Sequence, residues 1–402
     1  MAAPRQSAFR RQRGMGIVET MVGILIGMVV LIAVYNVFSV AEGYKRTAVG
    51  ASDAQTTGLF TQFILNREIA NAGNGIAAAG AQLGTCTFQD PKWPTPAPGT
   101  FFAGNTAIRP IPVVIRDSGN ANVSDSMIIT YSQAPRVIYP ELLVDKPMLA
   151  GTDPVYVQSP NGYRVNDWII LNDMAGNCEL SQVTAVTPGS STGDLTTGFV
   201  KLAHTATAKV YKTSGTQDGP NVFNLGTSNP GQPDTATRTL YDVFNGQLRT
   251  TDLFAAGATA NPISQNIVLM KIQYGVDCGV PPAPPFVPTG VIVWTAATNS
   301  GVCGRNYAPD DLTNTAMFTA AGLATIRAIR IAIVVRSDEP ELLVGGQDNT
   351  ALKGQKATLF NCSTGACAGS INIDNNTLTD YYRFRIYETV VPLRNAIFND
   401  GS

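Results

Sequence analysis

Histidine is almost absent from this 402-residue chain: His204 is the only one. Ser-His-Asp chemistry would have to run through that single residue, and zinc centres usually draw on several imidazoles. Charge is also scarce. Asp, Glu, Lys and Arg make up 14% of the chain, 28 basic against 29 acidic, for a net charge of −1. No basic excess marks a nucleic-acid surface. No Walker loop occurs, and nothing in the sequence singles out a pair of carboxylates for glycoside hydrolysis. The reading is therefore of a non-enzyme with no cofactor and no resident metal. What the chain does have is 44% apolar residues, enough for a core, with 38 Gly and 25 Pro to break it into short elements.

The sharpest pattern lies at the start. Arg5, Arg10, Arg11 and Arg13 form a basic leader without an acid. Met15 to Ala41 then carries one charge, Glu19. As helix this run spans roughly 40 Å, more than the ~30 Å of a bilayer's hydrocarbon core. The arginines place the N-terminus in the cytoplasm and the bulk of the chain outside. A secretory signal would have a shorter apolar core and a small-residue cleavage site; Val37-Phe38-Ser39-Val40-Ala41 is a weak candidate for one. A plain anchor explains the length and the arginines but not the acid. A carboxylate at the centre of a membrane helix costs about 2.5–3.5 kcal/mol, so Glu19 calls for a partner. Gly23 and Gly27 make a GxxxG step that lets another helix approach.

Arg13-Gly14-Met15-Gly16-Ile17-Val18-Glu19 resembles the processing motif of type IV prepilins. Met15 stands where Phe is commoner, and Gly16 where Thr or Ser is commoner. The resemblance implies cleavage by a prepilin peptidase between Gly14 and Met15, N-methylation of Met15, and pairing of Glu19 with the N-terminus of a neighbouring subunit.

From Glu42 to Asn71 the pattern is helical. Leu59, Phe60, Phe63, Ile64 and Arg67 recur at its spacing, and the apolar members are expected to pack on the head. Gly43, Gly50 and Gly58 should loosen the middle by about 1 kcal/mol each relative to Ala. Gly73 and Gly75 should end the helix.

Beyond residue 76 the signals are those of short strands. They cover residues 113–116, 126–131, 167–171, 267–274, 329–336 and 383–390. In 329–336 the isoleucines alternate with Arg330, Ala332, Val334 and Arg336, which reads as a half-buried strand. Asp310-Asp311-Leu312 looks like the start of a short helix leading to Ala321. Residues 185–237, 279–290 and 343–380 read as surface insertions.

Three further stretches resemble the PilW-type minor pilins: residues 66–73 (Asn-Arg-Glu-Ile-Ala-Asn-Ala-Gly), 328–337 and Val391-Pro392-Leu393-Arg394-Asn395. J-type minor pseudopilins of type II secretion are related in architecture. The resemblance implies an α+β, pilin-like fold: a long hydrophobic helix packed on a β-rich, antiparallel head with loop insertions. Its divisions are a leader (1–14), a transmembrane or filament-core helix (15–41), an amphipathic continuation (42–75) and a periplasmic head (76–402). The expected role is to help initiate pilus assembly and sit near the tip, supporting adhesion and twitching motility. Expected partners are other minor pilins, the major pilin, the prepilin peptidase, the inner-membrane assembly platform and a large tip adhesin. The location would be the inner membrane and then the pilus. A pseudopilin is the alternative. A membrane-anchored extracytoplasmic binding or hydrolytic domain is a third.

Six cysteines in an exported head suit disulfides. Proximity in sequence pairs Cys362 with Cys367 and Cys278 with Cys303, leaving Cys86 with Cys178, but 15 connectivities are possible. Asp310 and Asp311, with Asp338 and Glu339, could offer oxygens to Ca²⁺. They read better as a helix cap and turn acids, and His204 as an ordinary surface or strand residue.

Overall fold

The computed structural model describes residues 16–76, 86–88, 101–102, 109–133, 141–144, 147–159, 161–173, 177–189, 199–211, 220–227, 232, 234–255, 257–279, 288–298, 301–313, 320–343, 347–348, 350–361, 370–374, 378 and 380–397. A single helix, α1, runs from Ile17 to Asn71. No proline interrupts the chain between Pro4 and Pro91, and the three glycines expected to loosen it leave it continuous. It ends where Gly73 and Gly75 adopt φ of +78° and +70°, which a side chain would oppose.

The strands follow in chain order: β1 (Thr87–Phe88), β2 (Val113–Arg116), β3 (Ser126–Ser132), β4 (Glu141–Leu142), β5 (Val155–Val157), β6 (Asp167–Asn172), β7 (Asn177–Pro188), β8 (Val200–His204), β9 (Asn221–Thr227), β10 (Ala236–Phe244), β11 (Gln247–Asp252), β12 (Asn261–Gln265), β13 (Ile267–Asp277) and β14 (Ile292–Thr295). Then come two short helices, α2 (Pro309–Thr313) and α3 (Ala320–Leu323), and the long strand β15 (Ile326–Arg336). Two small hairpins, β16 (Leu342–Leu343) with β17 (Gln347–Asp348) and β18 (Ala357–Leu359) with β19 (Ile371–Ile373), precede β20 (Phe384–Pro392) and α4 (Arg394–Ile397).

Three larger sheets result, ordered β4-β9-β6-β7-β8-β5 with β1 beside β7, β12-β11-β10-β3-β2, and β14-β13-β15-β20. All pairings between named strands are antiparallel except β1 with β7. The main core joins α1 to all three sheets, and a second apolar cluster fills the other face of the seven-stranded sheet.

Four expectations change. Strand β15 is buried on both faces, not half-buried, because Leu359, Phe360, Ile373 and Leu378 cover the side carrying Ala332 and Val334. Arg330 on that face is enclosed between the rings of Trp294 and Phe360 and bonds Gln273 Oε1 at 2.7 Å through Nε. Residues 185–237 are not simply surface insertions, since β8 and β9 put Leu202, Val222, Phe223 and Leu225 in the cores. Residues 343–380 likewise supply the cover over β15. The fourth concerns α1. Leu59, Phe60 and Phe63 are 51–64% exposed, whereas Ala54, Gly58, Thr61, Leu65, Glu68 and Ile69 are buried. Over Ala54 to Thr61 the helix meets the head through small residues, and Leu65 and Ile69 take over below, so Leu59, Phe60 and Phe63 face outward. The short-helix expectation divides into α2 and α3, with residues 314–319 outside those described.

Candidate assembly site

The candidate site is α1 itself, in two parts. From Ile17 to Val49 its large apolar side chains are 40% or more exposed, and its most apolar stretch has a mean hydropathy of 2.6 with none of it buried. Glu19 lies in the first turn, exposed, with its N–H bonded to Gly16 O at 3.0 Å. Gly23 and Gly27 have nothing within 4 Å of where a Cβ would stand. Gly14 and Met15 fall outside the described residues.

The second part is the seat of α1 on the head. At Gly58 a Cβ would overlap the Tyr387 ring, so glycine there lets β20 approach the helix closely. Tyr387 Oη in turn donates to Ala54 O and Gln55 O, both at 3.4 Å. Thr61 Oγ1 donates to Ser264 Oγ at 2.7 Å in full burial. Two turns on, Glu68 accepts from Tyr131 Oη at 2.8 Å and from Arg67 Nη2 at 2.8 Å. Burial first, and then the Glu68 charge, push the Tyr131 phenol up to about 12, so it stays a donor at any ordinary pH. Asn395 Nδ2 donates to Ala72 O at 3.0 Å and to Asn71 O at 3.4 Å, which also accepts from Asn74 N at 3.0 Å, so the side chain closes the end of the helix. The two stretches singled out near residues 66–73 and 391–395 thus meet at one place.

Higher on the helix, the turn after β15 reaches Gly43–Ala51. Arg46 Nη1 lies 3.5 Å from Glu339 Oε2, and Thr47 Oγ1 donates to Glu341 Oε1 at 3.2 Å. Hydrogen bonds from Arg383 hold the Glu341 carboxyl below the ordinary range. The Arg46 pair is half-exposed and contributes under about 1 kcal/mol.

A double-mutant cycle tests the Gly58 contact. Gly58→Val should destabilise the full chain in detergent by about 1–3 kcal/mol through overpacking. The Tyr387→Ala background should remove most of that loss in urea unfolding. Additive losses would contradict the contact.

The remaining candidates are placed elsewhere. Cys86 is bonded to Cys178 and Cys278 to Cys303, with Cα separations of 5.4 and 5.1 Å. Cys362 and Cys367 lie outside the described residues. Asp310 and Asp311 occupy the first turn of α2. Asp338 accepts from Asn266 Nδ2 at 3.2 Å, and Glu339 pairs with Arg46. Among the described residues no three His, Cys, Asp or Glu groups converge as a metal site. His204 is a strand residue at the end of β8 but not a surface one: it is 7% exposed, with Nδ1 3.1 Å from Ser181 Oγ.

The sequence reading missed the roles of Gly58, Thr61, Tyr387 and Asn395. The available signal was the small residues at 54, 58 and 61, spaced as one helix face.

No curated protein and no solved structure matches the chain. One family model does, that of the type IV pilus-assembly protein W, PilW, over residues 222–395. That range covers β13, β15, β20 and Asn395, the strands on which α1 is seated and the residue that caps it. By this match residues 222–395 resemble the PilW family of type IV pilus assembly.

Proposed function

We propose that this chain is a minor pilin that helps initiate type IV pilus assembly and sits at or near the pilus tip, where it supports adhesion and twitching motility. The observation that carries the reading is the pairing of a long, exposed apolar helix with a PilW-type seat for its lower half. The chain is held in the inner membrane as a prepilin, with the head in the periplasm. A prepilin peptidase cuts between Gly14 and Met15 and methylates the new N-terminus. The α-amino group of a neighbouring subunit then neutralises Glu19 and sets the axial register between helices, relieving the cost of a carboxylate in an apolar medium. Gly23 and Gly27 let that neighbour approach. Partners are the other minor pilins, the major pilin, the assembly platform and a large tip adhesin. A head with this many insertions fits a tip, where it meets less crowding than on every subunit of a shaft.

Glu19→Ala tests the reading. The variant should accumulate and be cleaved, yet fall more than ten-fold in sheared pili, with surface pili lost to a similar degree. Unchanged incorporation would contradict the role of Glu19. A deletion that leaves pili intact and blocks protein secretion would instead favour the pseudopilin.

A further inference from the structure

Strand β20 ends its sheet, and among the described residues no strand pairs with its far side. Ser337 N donates to Arg383 O at 2.8 Å and Leu393 N to Arg327 O at 2.9 Å. With Ile333 opposite Tyr387 and no shift of register, the odd-numbered residues of β20 spend their backbone groups on β15. Phe384, Ile386, Glu388 and Val390 therefore direct N–H and C=O outward. Exposed sheet edges are usually blunted by short strands, charges, proline or bulges. β20 has nine residues, no lysine and no bulge; its charges are Arg385 and Glu388, and its proline, Pro392, stands at the last position, beyond the stretch from Phe384 to Val390.

Apolar side chains flank this edge on both sides. Ile386 and Val390 are 38% and 56% exposed on the face away from α1. On the helix side Gln55, Leu59 and Gln62 share a face, and Gln62 Nε2 reaches over to Glu388 O at 3.4 Å. A strand laid along β20 would find backbone partners, Leu59 on one face and Ile386 with Val390 on the other.

Direction narrows the occupant. β20 runs the same way as α1: Arg383 and Glu341 meet it near Thr47, Tyr387 near Ala54, Glu388 near Gln62, and Asn395 at Ala72. Antiparallel pairing of two copies of β20 would set their helices head to tail, which two chains leaving one membrane cannot do. Resting on the pilin reading, we propose that the free edge of β20 takes an extended segment from the head of a different pilin subunit, which joins the sheet as a fifth strand.

The test places a photo-crosslinking residue at Val390 or at Ile386 of the full-length chain in cells that make the other pilins. A control position is Leu149, 81% exposed on a turn outside the sheet. Both edge positions should give adducts with another pilin, mapping to one extended segment, and Leu149 should not. In the uncrosslinked chain, Val390→Pro removes an outward donor and spares the pairing with β15; it should lower pilus number more than ten-fold, while Val390→Thr should not. Adducts only with a second copy, no pilin adduct from either edge position, or full piliation with Val390→Pro would each overturn the edge proposal. The N-terminus is read in the same cells. A chain cleaved at Met15 without adducts sinks the edge alone, whereas an uncleaved chain sinks the pilin reading with it. Should Val390→Pro fail to accumulate, the crosslinks decide.

Discussion

Asp125→Ala is expected to destabilise the head by about 3–5 kcal/mol, the cost of stranding a buried cation. Lys271 Nζ lies 2.6 Å from Asp125 Oδ1, and their side chains are 2% and 1% exposed. Asp125 also accepts from Ser118 N and Ile272 N, both at 3.0 Å, and its own N–H donates to Met270 O at 2.8 Å. It stands just before β3, while Lys271 belongs to β13, so the pair ties the five-stranded sheet to the four-stranded one. Without Asp125 the ammonium keeps, among the described residues, only Ser118 Oγ, at 3.0 Å. Replacing both members, Asp125→Leu with Lys271→Met, should cost clearly less than either truncation, because two buried charges vanish together. Urea unfolding of Asp125→Ala, Lys271→Ala and the double variant checks this. A single truncation costing under about 1 kcal/mol, or a double variant as unstable as the singles, would contradict the account.

The second large effect belongs to Cys86–Cys178. This bond spans 92 residues, and chain entropy assigns it about 4–5 kcal/mol, against about 3.5 kcal/mol for Cys278–Cys303 across 25. The longer bond also has less help. Strand β1 touches β7 through only two residue pairs, Thr87 with Asn177 and Phe88 with Cys178. The base of the shorter loop is held independently: Asp277 accepts from Gly279 N at 2.9 Å, Thr289 Oγ1 at 2.6 Å and Gly290 N at 2.7 Å. Paired Cys→Ser variants should therefore rank with the Cys86/Cys178 pair as the more damaging. The opposite ranking of urea midpoints would refute this division.

Much of the fold was legible where a single physical signal dominated. The helix announced itself by the length of its apolar run and by the stop signal at Gly73 and Gly75. The strands rich in Val and Ile at 113–116, 126–132, 167–172 and 267–277 appear where β-branched runs placed them. Other parts were hidden because local composition pointed the wrong way. On α1 Leu59, Phe60 and Phe63 mark the outer face, since close approach to β20 demanded Gly58 and Ala54 there. In β9 polar residues sit in the core because they satisfy one another: Asn224 Nδ2 bonds Gly162 O at 2.7 Å and Asp167 Oδ2 at 2.8 Å. A Thr-, Ser- and Asn-rich stretch therefore looked like loop. In β15 the alternating arginine implied water on one side, but aromatic rings and Gln273 take its place. The way Asn395 closes the end of α1 was hidden because it depends on residues 324 apart in sequence.

The central claim is that the chain is a processed subunit of a pilus, and its N-terminus tests that most directly. Intact-mass and N-terminal analysis of the protein from native membranes and from sheared pili should find a chain beginning at N-methylated Met15, present at trace level in the pili. Loss of the four leader arginines would take the net charge from −1 to about −5. A chain beginning at Met1 in both fractions, or cut near Ala41, would contradict the account.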